Sequence, residues 1–204
     1  MTRHLLSVGI TLPSGLPDAT AVSIASMTGR LGFATLHLAD VPPSEFFERL
    51  VDAAAPALVI VDVDTDATAA IGVVRVNDPA AVAAERARLD AQGSTRPLQV
   101  AVPISIGRTM SEAIARADRE PRFTGDRHPS EVGIFGTFEQ AQEQVLALAR
   151  AGADDLVLDV PLEQDVADVL AQIRALVVGA TPELVHAPPR KDRTLPPRTV
   201  FYGN

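Results

Sequence analysis

The stretch EVGIFGTFEQAQEQVLALARAGADDLVLDVP, residues 131–161, decides the fold. It reads as a short apolar strand, a turn, a helix and a second apolar strand, which is the pattern of one βαβ unit. Thr137 is the predicted N-cap of the helix, Gln140 completes a capping box, and Gly152 provides the C-terminal stop. The turn at Gly136 and Thr137 places main-chain N–H groups at a helix N-terminus, which suits a phosphate and equally suits plain capping.

The rest of the chain repeats this unit. Apolar strand candidates lie at residues 5–12, 33–38, 57–63, 71–76 and 98–106. Between them, helices are predicted to begin at the caps Asp18, Ser44, Asp78 and Thr109, and a last helix covers residues 166–178. Alternating strands and helices predict a parallel sheet with right-handed crossovers. Because about 180 residues are short for a complete eightfold barrel, we expect a shortened TIM-type (β/α) barrel of about seven mostly parallel strands. An open doubly wound sheet is the alternative.

Composition predicts one globular domain. The chain has 204 residues, of which 47% are hydrophobic and 22% charged, which is typical of soluble proteins. We expect residues 1–179 to form the barrel domain and residues 180–204 to form an extended, proline-rich tail. Residues 119–130, REPRFTGDRHPS, are expected to form a mobile surface loop.

Charge and residue usage exclude several classes of function. The formal net charge of −8 argues against nucleic-acid binding, since phosphate contacts need clustered Lys and Arg. Cysteine is absent, which removes thiolate catalysis and cysteine-based metal sites. The sequence contains no run of about 18 apolar residues, so no membrane span is expected. The absence of cysteine is compatible with a reducing cytoplasm, which is the predicted location.

Polar residues at predicted strand ends are the candidates for chemistry, because ligands of parallel α/β folds bind at the carboxyl ends of strands. These candidates are Asp40, Asp62, Asp64, Asp66, Ser105, Gly107, Arg108, Gly136, Thr137 and Asp159. The aspartate run after the third strand lacks the Gly and Glu of a calcium loop, so solvated turn or cap residues are favoured there over a metal site.

Histidine and Asp40 leave more than one interpretation open. His37 lies within a strand, where its ring points either into the barrel interior, as an acid, base or hydrogen-bond donor, or towards the helices. Asp40 either orients a ligand or caps the turn before Pro42. The other histidines, His4, His128 and His186, are expected to be solvated.

These motifs resemble the luciferase-like monooxygenases, a family of flavin- or deazaflavin-dependent (β/α) barrels. The segment GTFEQAQEQVLALARAGADDLVL is similar to the closing segment of that family, with its Gly-Thr turn, helix, Ala-Gly stop and final strand. VGITLPSG followed by LGFATLHLAD resembles the first strand, first helix and second strand. The resemblance covers roughly residues 5–40 and 97–178.

The resemblance implies an oxidoreductase or monooxygenase that uses FMN or a deazaflavin on a small organic substrate. It places Asp40 at the acidic position beside the cofactor ring, with His37 as its catalytic neighbour, although Val41 stands where the family often has His. Gly136 and Thr137 match the turn near the cofactor phosphate, and Asp64 and Ser105 complete the predicted cofactor-binding residues.

The middle of the chain departs from the family. The third and fourth strands, the long insertion and the glycine-rich strand are compressed into about 50 residues, which implies an altered cofactor site or none. The alternative function is therefore a catalytically reduced barrel homologue that serves as a cofactor-binding or partner subunit. A homodimer, or a heteromer with a related barrel subunit, is expected.

Overall fold

A computed structural model of the chain describes residues 6–61, 72–123, 125–160 and 166–184. Its strands are β1 Ser7–Leu12, β2 Thr35–Leu38, β3 Leu58–Val61, β4 Gly72–Val74, β5 Leu98–Gly107, β6 Ile134–Thr137 and β7 Asp155–Asp159. Its helices are α1 Asp18–Leu31, α2 Ser44–Ala54, α3 Pro79–Ala91, α4 Met110–Ala117, α5 Pro129–Val132, α6 Phe138–Ala151 and α7 Val166–Leu184, and a 3-10 turn covers Pro121–Phe123.

The βαβ unit of residues 131–161 forms as predicted. β6, α6 and β7 follow one another, and the capping box of Thr137 and Gln140 is complete at the start of α6. Gly152 ends the helix at a φ of 121°, a backbone conformation that favours glycine. The cap at Asp78 is also confirmed, since its side chain accepts a hydrogen bond of 2.8 Å from the main-chain N–H of Ala80.

Two predicted caps are wrong. Pro17 and Pro43 occupy the N-cap positions of α1 and α2, and neither helix has a side-chain cap. Asp18 and Ser44 are instead the first helical residues. At this position the Asp18 carboxylate still interacts favourably with the helix dipole.

The sheet is parallel and has an order that brings the two ends of the fold together. Within the described residues it contains seven strands in the order β3-β2-β1-β7-β5-β4, and β6 pairs with the second half of β5. Each registered pair is parallel. The first strand thus lies between β2 and the last strand, β7, as expected when a (β/α) chain curls towards closure.

One face of the sheet carries a helix layer. α2 packs on α1, α1 on α7, α7 on α6 and α6 on α3, following the order of the strands beneath them. Alternate residues of the strands, such as Val8 and Ile10 of β1 and Leu156 and Leu158 of β7, are buried in one core with these helices. We call this the outer face. A doubly wound sheet would divide these helices between both faces, so the arrangement matches the predicted shortened TIM-type barrel.

Helix α4 lies on the opposite, inner face. The inner-face residue Ser105 of β5 donates a 2.8 Å hydrogen bond to the main-chain oxygen of Ala113 in α4. Ala113 and Ala117 form a second small core with Phe123 and Phe135. The predicted mobile loop is therefore partly anchored, because Phe123 within it is only 6% exposed.

The last described helix extends past the predicted end of the barrel domain. α7 continues to Leu184, beyond the expected boundary at residue 179, and residues 185–204 of the expected tail lie outside the described residues. Among the described helices, none combines the length and the apolar character needed to cross a bilayer.

Candidate functional site

The inner face of β1, β2 and β7 carries polar side chains in strand register. Thr11 pairs with His37 of β2 on one side and with Asp159 of β7 on the other, which gives one polar row near the carboxyl ends of the strands. Nearer the amino ends, Ser7 pairs with Asp155. Side chains in register on one face of a sheet are neighbours. The strands therefore present acid, base and hydroxyl groups together on the face opposite the helix layer.

His37 is the most buried of these ionisable groups. It is only 2% exposed, and its Nε2 lies 3.2 Å from the Oγ1 of Thr35, two residues earlier on the same face. The ring of His37 therefore lies on the same face of β2 as Thr35, opposite the face on which Leu36 and Leu38 pack into the core with the helices. A buried imidazole held by a hydroxyl has a fixed ring orientation, as an acid or base requires.

Asp155 lies at the amino end of β7. Burial raises the pKa of its carboxyl group above the ordinary 3.8, whereas the hydrogen bond from Ser7 lowers it; the charge of Asp154 raises this pKa and that of His37 lowers it. Burial disfavours the ionised carboxylate because water no longer solvates it. The sequence interpretation did not include Asp155 among the candidates.

Asp159 is held by an ion-pair network at the carboxyl end of β7. Its Oδ2 lies 2.5 Å from Nη1 of Arg122, whose Nε donates a 2.7 Å bond to Oε1 of Glu120. Burial of the guanidinium opposes its charge, but the hydrogen bonds and charges of Glu120 and Asp159 outweigh this and raise the pKa of Arg122. The segment after α4 is thus tied down over the inner face.

Gly136 and Thr137 lie where β6 meets α6, with Gly136 at a φ of 127°. The main-chain N–H of Thr137 donates a 2.9 Å bond to Oε1 of Gln140, and the Thr137 side chain accepts from the N–H of Gln140. Of the first-turn amides, those of Phe138 and Glu139 are not used by this capping box. The turn thus retains part of the anion-binding capacity expected of a helix N-terminus.

Ser105 and Gly107 lie beneath α4. The Ser105 hydroxyl is 1% exposed and bonded to Ala113, as described above. A Cβ at Gly107 would lie 2.7 Å from main-chain atoms of Thr109 and Ala113, so the helix backbone rests directly on this glycine. Helix α4 therefore occupies the inner face over the second half of β5.

The remaining predicted residues are dispersed. Asp40 is exposed two residues beyond the end of β2, whereas His37 is buried within that strand. Asp64, with Asp62 and Asp66, lies outside the described residues. Arg108 follows β5 on the exposed surface. The structure thus brings together His37, Thr11 and Asp159, while Gly136 and Thr137 form a separate group at the end of β6.

His128 is exposed, as expected, and borders an open cleft of about 380 Å³ between α5 and α6. Its Nδ1 lies 2.7 Å from the Oγ of Ser130 and accepts a 3.3 Å bond from the N–H of that residue. The ring therefore caps the short helix α5. Among the described residues, no group of three or more His, Asp or Glu side chains is placed to hold a metal ion.

A simple signal in the sequence indicates the residues that were missed. In SVGIT, TLHL and DLVLD, small or polar residues alternate with large apolar ones. Alternation of period two assigns the polar set to one face of each strand. This pattern identifies Ser7, Thr35 and Asp155 as companions of His37. Arg122 lacks such a signal because its position depends on tertiary packing.

Comparison with solved structures shows the fold. The chain is similar to the coenzyme F420-dependent tetrahydromethanopterin reductase of Methanopyrus kandleri, with a TM-score of 0.61 and 9% sequence identity over 87% of this chain and 99% of the reductase. It is also similar to apo-MsnO8, with a TM-score of 0.52 and 12% identity over 91% of this chain and 100% of that one.

Sequence comparison adds no family assignment. No protein-family model matches the chain, and no curated protein matches it significantly in sequence. What the comparisons establish is a parallel α/β fold of the TIM-barrel type, shared with an F420-dependent reductase at low sequence identity.

Proposed function

We propose that the protein is a shortened luciferase-like barrel that binds a deazaflavin or FMN and acts as a reductase or monooxygenase on a small organic substrate. The observation that carries this proposal is the polar row of His37, Thr11 and Asp159 on the inner face, at the strand ends where barrel enzymes bind ligands. The fold shared with an F420-dependent reductase supports the choice of cofactor.

In this proposal the protein binds and orients the cofactor and the substrate, and the cofactor supplies the redox chemistry. A bound flavin or deazaflavin supplies hydride transfer, which no side chain can perform. His37 would hold or deliver a proton at Nε2, and the Thr35 hydroxyl would orient its ring. The ion pair of Asp159 and Arg122 would close one side of the site and limit the entry of water.

The turn at Gly136 and Thr137, which we call the phosphate end of the proposed site, is only partly suited to binding a cofactor phosphate. The N–H groups of Phe138 and Glu139, which the capping box does not use, lie at a helix N-terminus, where the dipole favours an anion. The Glu139 carboxylate in the same turn opposes an anion. Gly136 and Thr137 shape this turn. The contributions expected of Ser105, Asp64 and Asp40 stay predictions, although the Ser105 hydroxyl already donates to Ala113.

One observation favours the alternative of a cofactor-binding or partner subunit without turnover. Helix α4 lies against Ser105 and Gly107 and fills the inner face there, which reduces the room for a ring system. In that case the protein would act with a related barrel subunit. We place either form in the cytoplasm and expect a homodimer or heteromer, which light scattering of the purified protein would test.

The decisive experiment is titration of the purified protein with FMN and, separately, with F420, followed by fluorescence quenching and thermal shift. We expect saturable binding of one of them and weaker binding to the His37→Gln variant. If neither cofactor quenches or stabilises the protein, the oxidoreductase proposal is wrong. Binding without substrate turnover would support the partner-subunit alternative.

A charge reversal tests the phosphate end. Glu139→Lys should tighten cofactor binding, because it replaces a repulsive charge in the first turn of α6 by an attractive one. Glu143→Lys adds the same charge one turn farther along the helix and serves as the matched control. Equal effects of the two variants would indicate general electrostatic attraction and would remove the assignment of the turn.

A further inference from the structure

Residues 110–123, which comprise helix α4 and the 3-10 turn after it, lie on the inner face apart from the main core. We call this segment the α4 flap. The main contacts of α4 are with β5 and β6. The buried flap residues Ala113, Ala117 and Phe123 pack with Phe135 of β6 in a cluster separate from the large core between the sheet and the helix layer. The flap can therefore leave the sheet without breaking that core.

A small set of polar contacts attaches the flap to the strands. Ser105 of β5 donates to α4, as described above, and Arg116 of α4 donates from Nη1 to the main-chain oxygen of Ile106. At the far end of the flap, Arg122 forms its ion pair with Asp159 of β7. The side chain of Arg122 is 41% exposed, and ion pairs open to solvent contribute little stability. The flap therefore belongs to the less stable parts of the fold.

Arg122 keeps a partner when the flap leaves the sheet. Its Nε donates a 2.7 Å hydrogen bond to Oε1 of Glu120, which belongs to the flap itself and is only 8% exposed. Separation from Asp159 leaves the guanidinium paired within the flap and brings the Asp159 carboxylate into water. The large cost of a buried, unpaired charge therefore does not arise on opening.

We propose that the α4 flap is a gate over the proposed site and that the ion pair of Arg122 and Asp159 holds it closed. Asp159 belongs to the polar row with Thr11 and His37, so opening of the flap uncovers one end of that row. Opening also frees the part of β5 that α4 covers, where the room for a ring system is otherwise small. The role as a gate rests on the proposed function, whereas the opening of the flap does not.

The test is hydrogen exchange of the cofactor-free protein, followed by mass spectrometry on peptides from α4 and α6. We expect the hydrogen-bonded amides of α4 to exchange faster than those of α6. Asp159→Asn should speed exchange in α4 by about fivefold and leave α6 unchanged, because it removes only an exposed ion pair. In an Arg122→Met background, Asp159→Asn should have no further effect, since its partner is gone. Arg88→Met breaks an exposed ion pair of α3 and, as the matched control, should leave α4 unchanged.

Three results would overturn the opening of the flap: equal protection of α4 and α6 in the wild type, unchanged exchange in Asp159→Asn, or a parallel increase in both helices. If Asp159→Asn does not fold, added salt provides the same test in the wild type, because it screens the exposed ion pair and should speed exchange in α4 alone.

The role as a gate is measured separately, by stopped-flow fluorescence with FMN and with F420. Association should be faster in Arg122→Met than in the wild type, because the site is open more often. Equal association rates in a variant whose flap opens more often would refute the gate. Opening of the flap in a protein that binds neither cofactor would instead refute the proposed function and leave the opening itself established.

Discussion

Replacing Gly9 by alanine tests the geometry of the inner face most directly. The added Cβ would lie 1.9 Å from Oγ1, 3.1 Å from Cβ and 3.0 Å from the main-chain oxygen of Thr35. Thr35 must rotate or β2 must move, and overpacking of this kind costs about 1–3 kcal/mol. Rotation also breaks the hydrogen bond to His37, worth about 1 kcal/mol. We expect Gly9→Ala to reduce the free energy of unfolding by about 2–4 kcal/mol.

A double-mutant cycle measured by urea unfolding separates the steric clash with Thr35 from any other cost of placing a side chain at position 9 of β1. Thr35→Ala removes the Oγ1 that the new methyl group meets, so Gly9→Ala should cost much less in that background, with a coupling of at least about 1 kcal/mol. Chemical shifts of the His37 ring should change in both single variants. A cost of Gly9→Ala below about 0.5 kcal/mol, or the same cost in both backgrounds, would refute the described packing of Thr35 over Gly9.

Three further predictions concern stability. Arg86→Met should cost about 3 kcal/mol in urea unfolding, because it leaves the largely buried Asp154 without its guanidinium, whereas the exposed Arg88→Met should have little effect. The contribution of Asp155 to stability should fall as pH rises from about 3.8 through its higher folded-state pKa, since the folded state binds more protons there; wild type should therefore lose stability relative to Asp155→Asn over this range, and parallel pH profiles would contradict the effect of burial. Gly107→Ala should cost about 1–3 kcal/mol because its methyl group meets the backbone of α4; an unchanged urea midpoint would mean that α4 does not rest on β5.

Local patterns predicted the repeating units well. The capping box at Thr137 and Gln140, the Asp78 cap and the parallel strands depend on residues close in sequence, and each formed as expected. The failures at Asp18 and Ser44 have a local cause as well. The preceding residues, Pro17 and Pro43, have extended backbone conformations and take the cap position themselves.

Contacts between distant residues could not be predicted in this way. Gln144 of α6 bonds both the N–H and the oxygen of Phe135 in β6 and accepts a further bond from Asn77, 67 residues earlier. Arg122 reaches Asp159 in a different βαβ unit. The sequence shows that these residues are polar, but the partner of each depends on how the units pack. The position of α4 on the inner face depends on the same packing.

The pairing of β1 with β7 has a consequence for biosynthesis. Ser7–Leu12 finds one of its two neighbours in Asp155–Asp159, and α1 packs on α7, so the first unit is complete only after the last has left the ribosome. Until then, one edge of β1 and the apolar side of α1 are exposed to other nascent chains. Contacts of such long sequence separation also slow folding. We therefore expect truncated chains ending before residue 155 to be captured by chaperones or to aggregate.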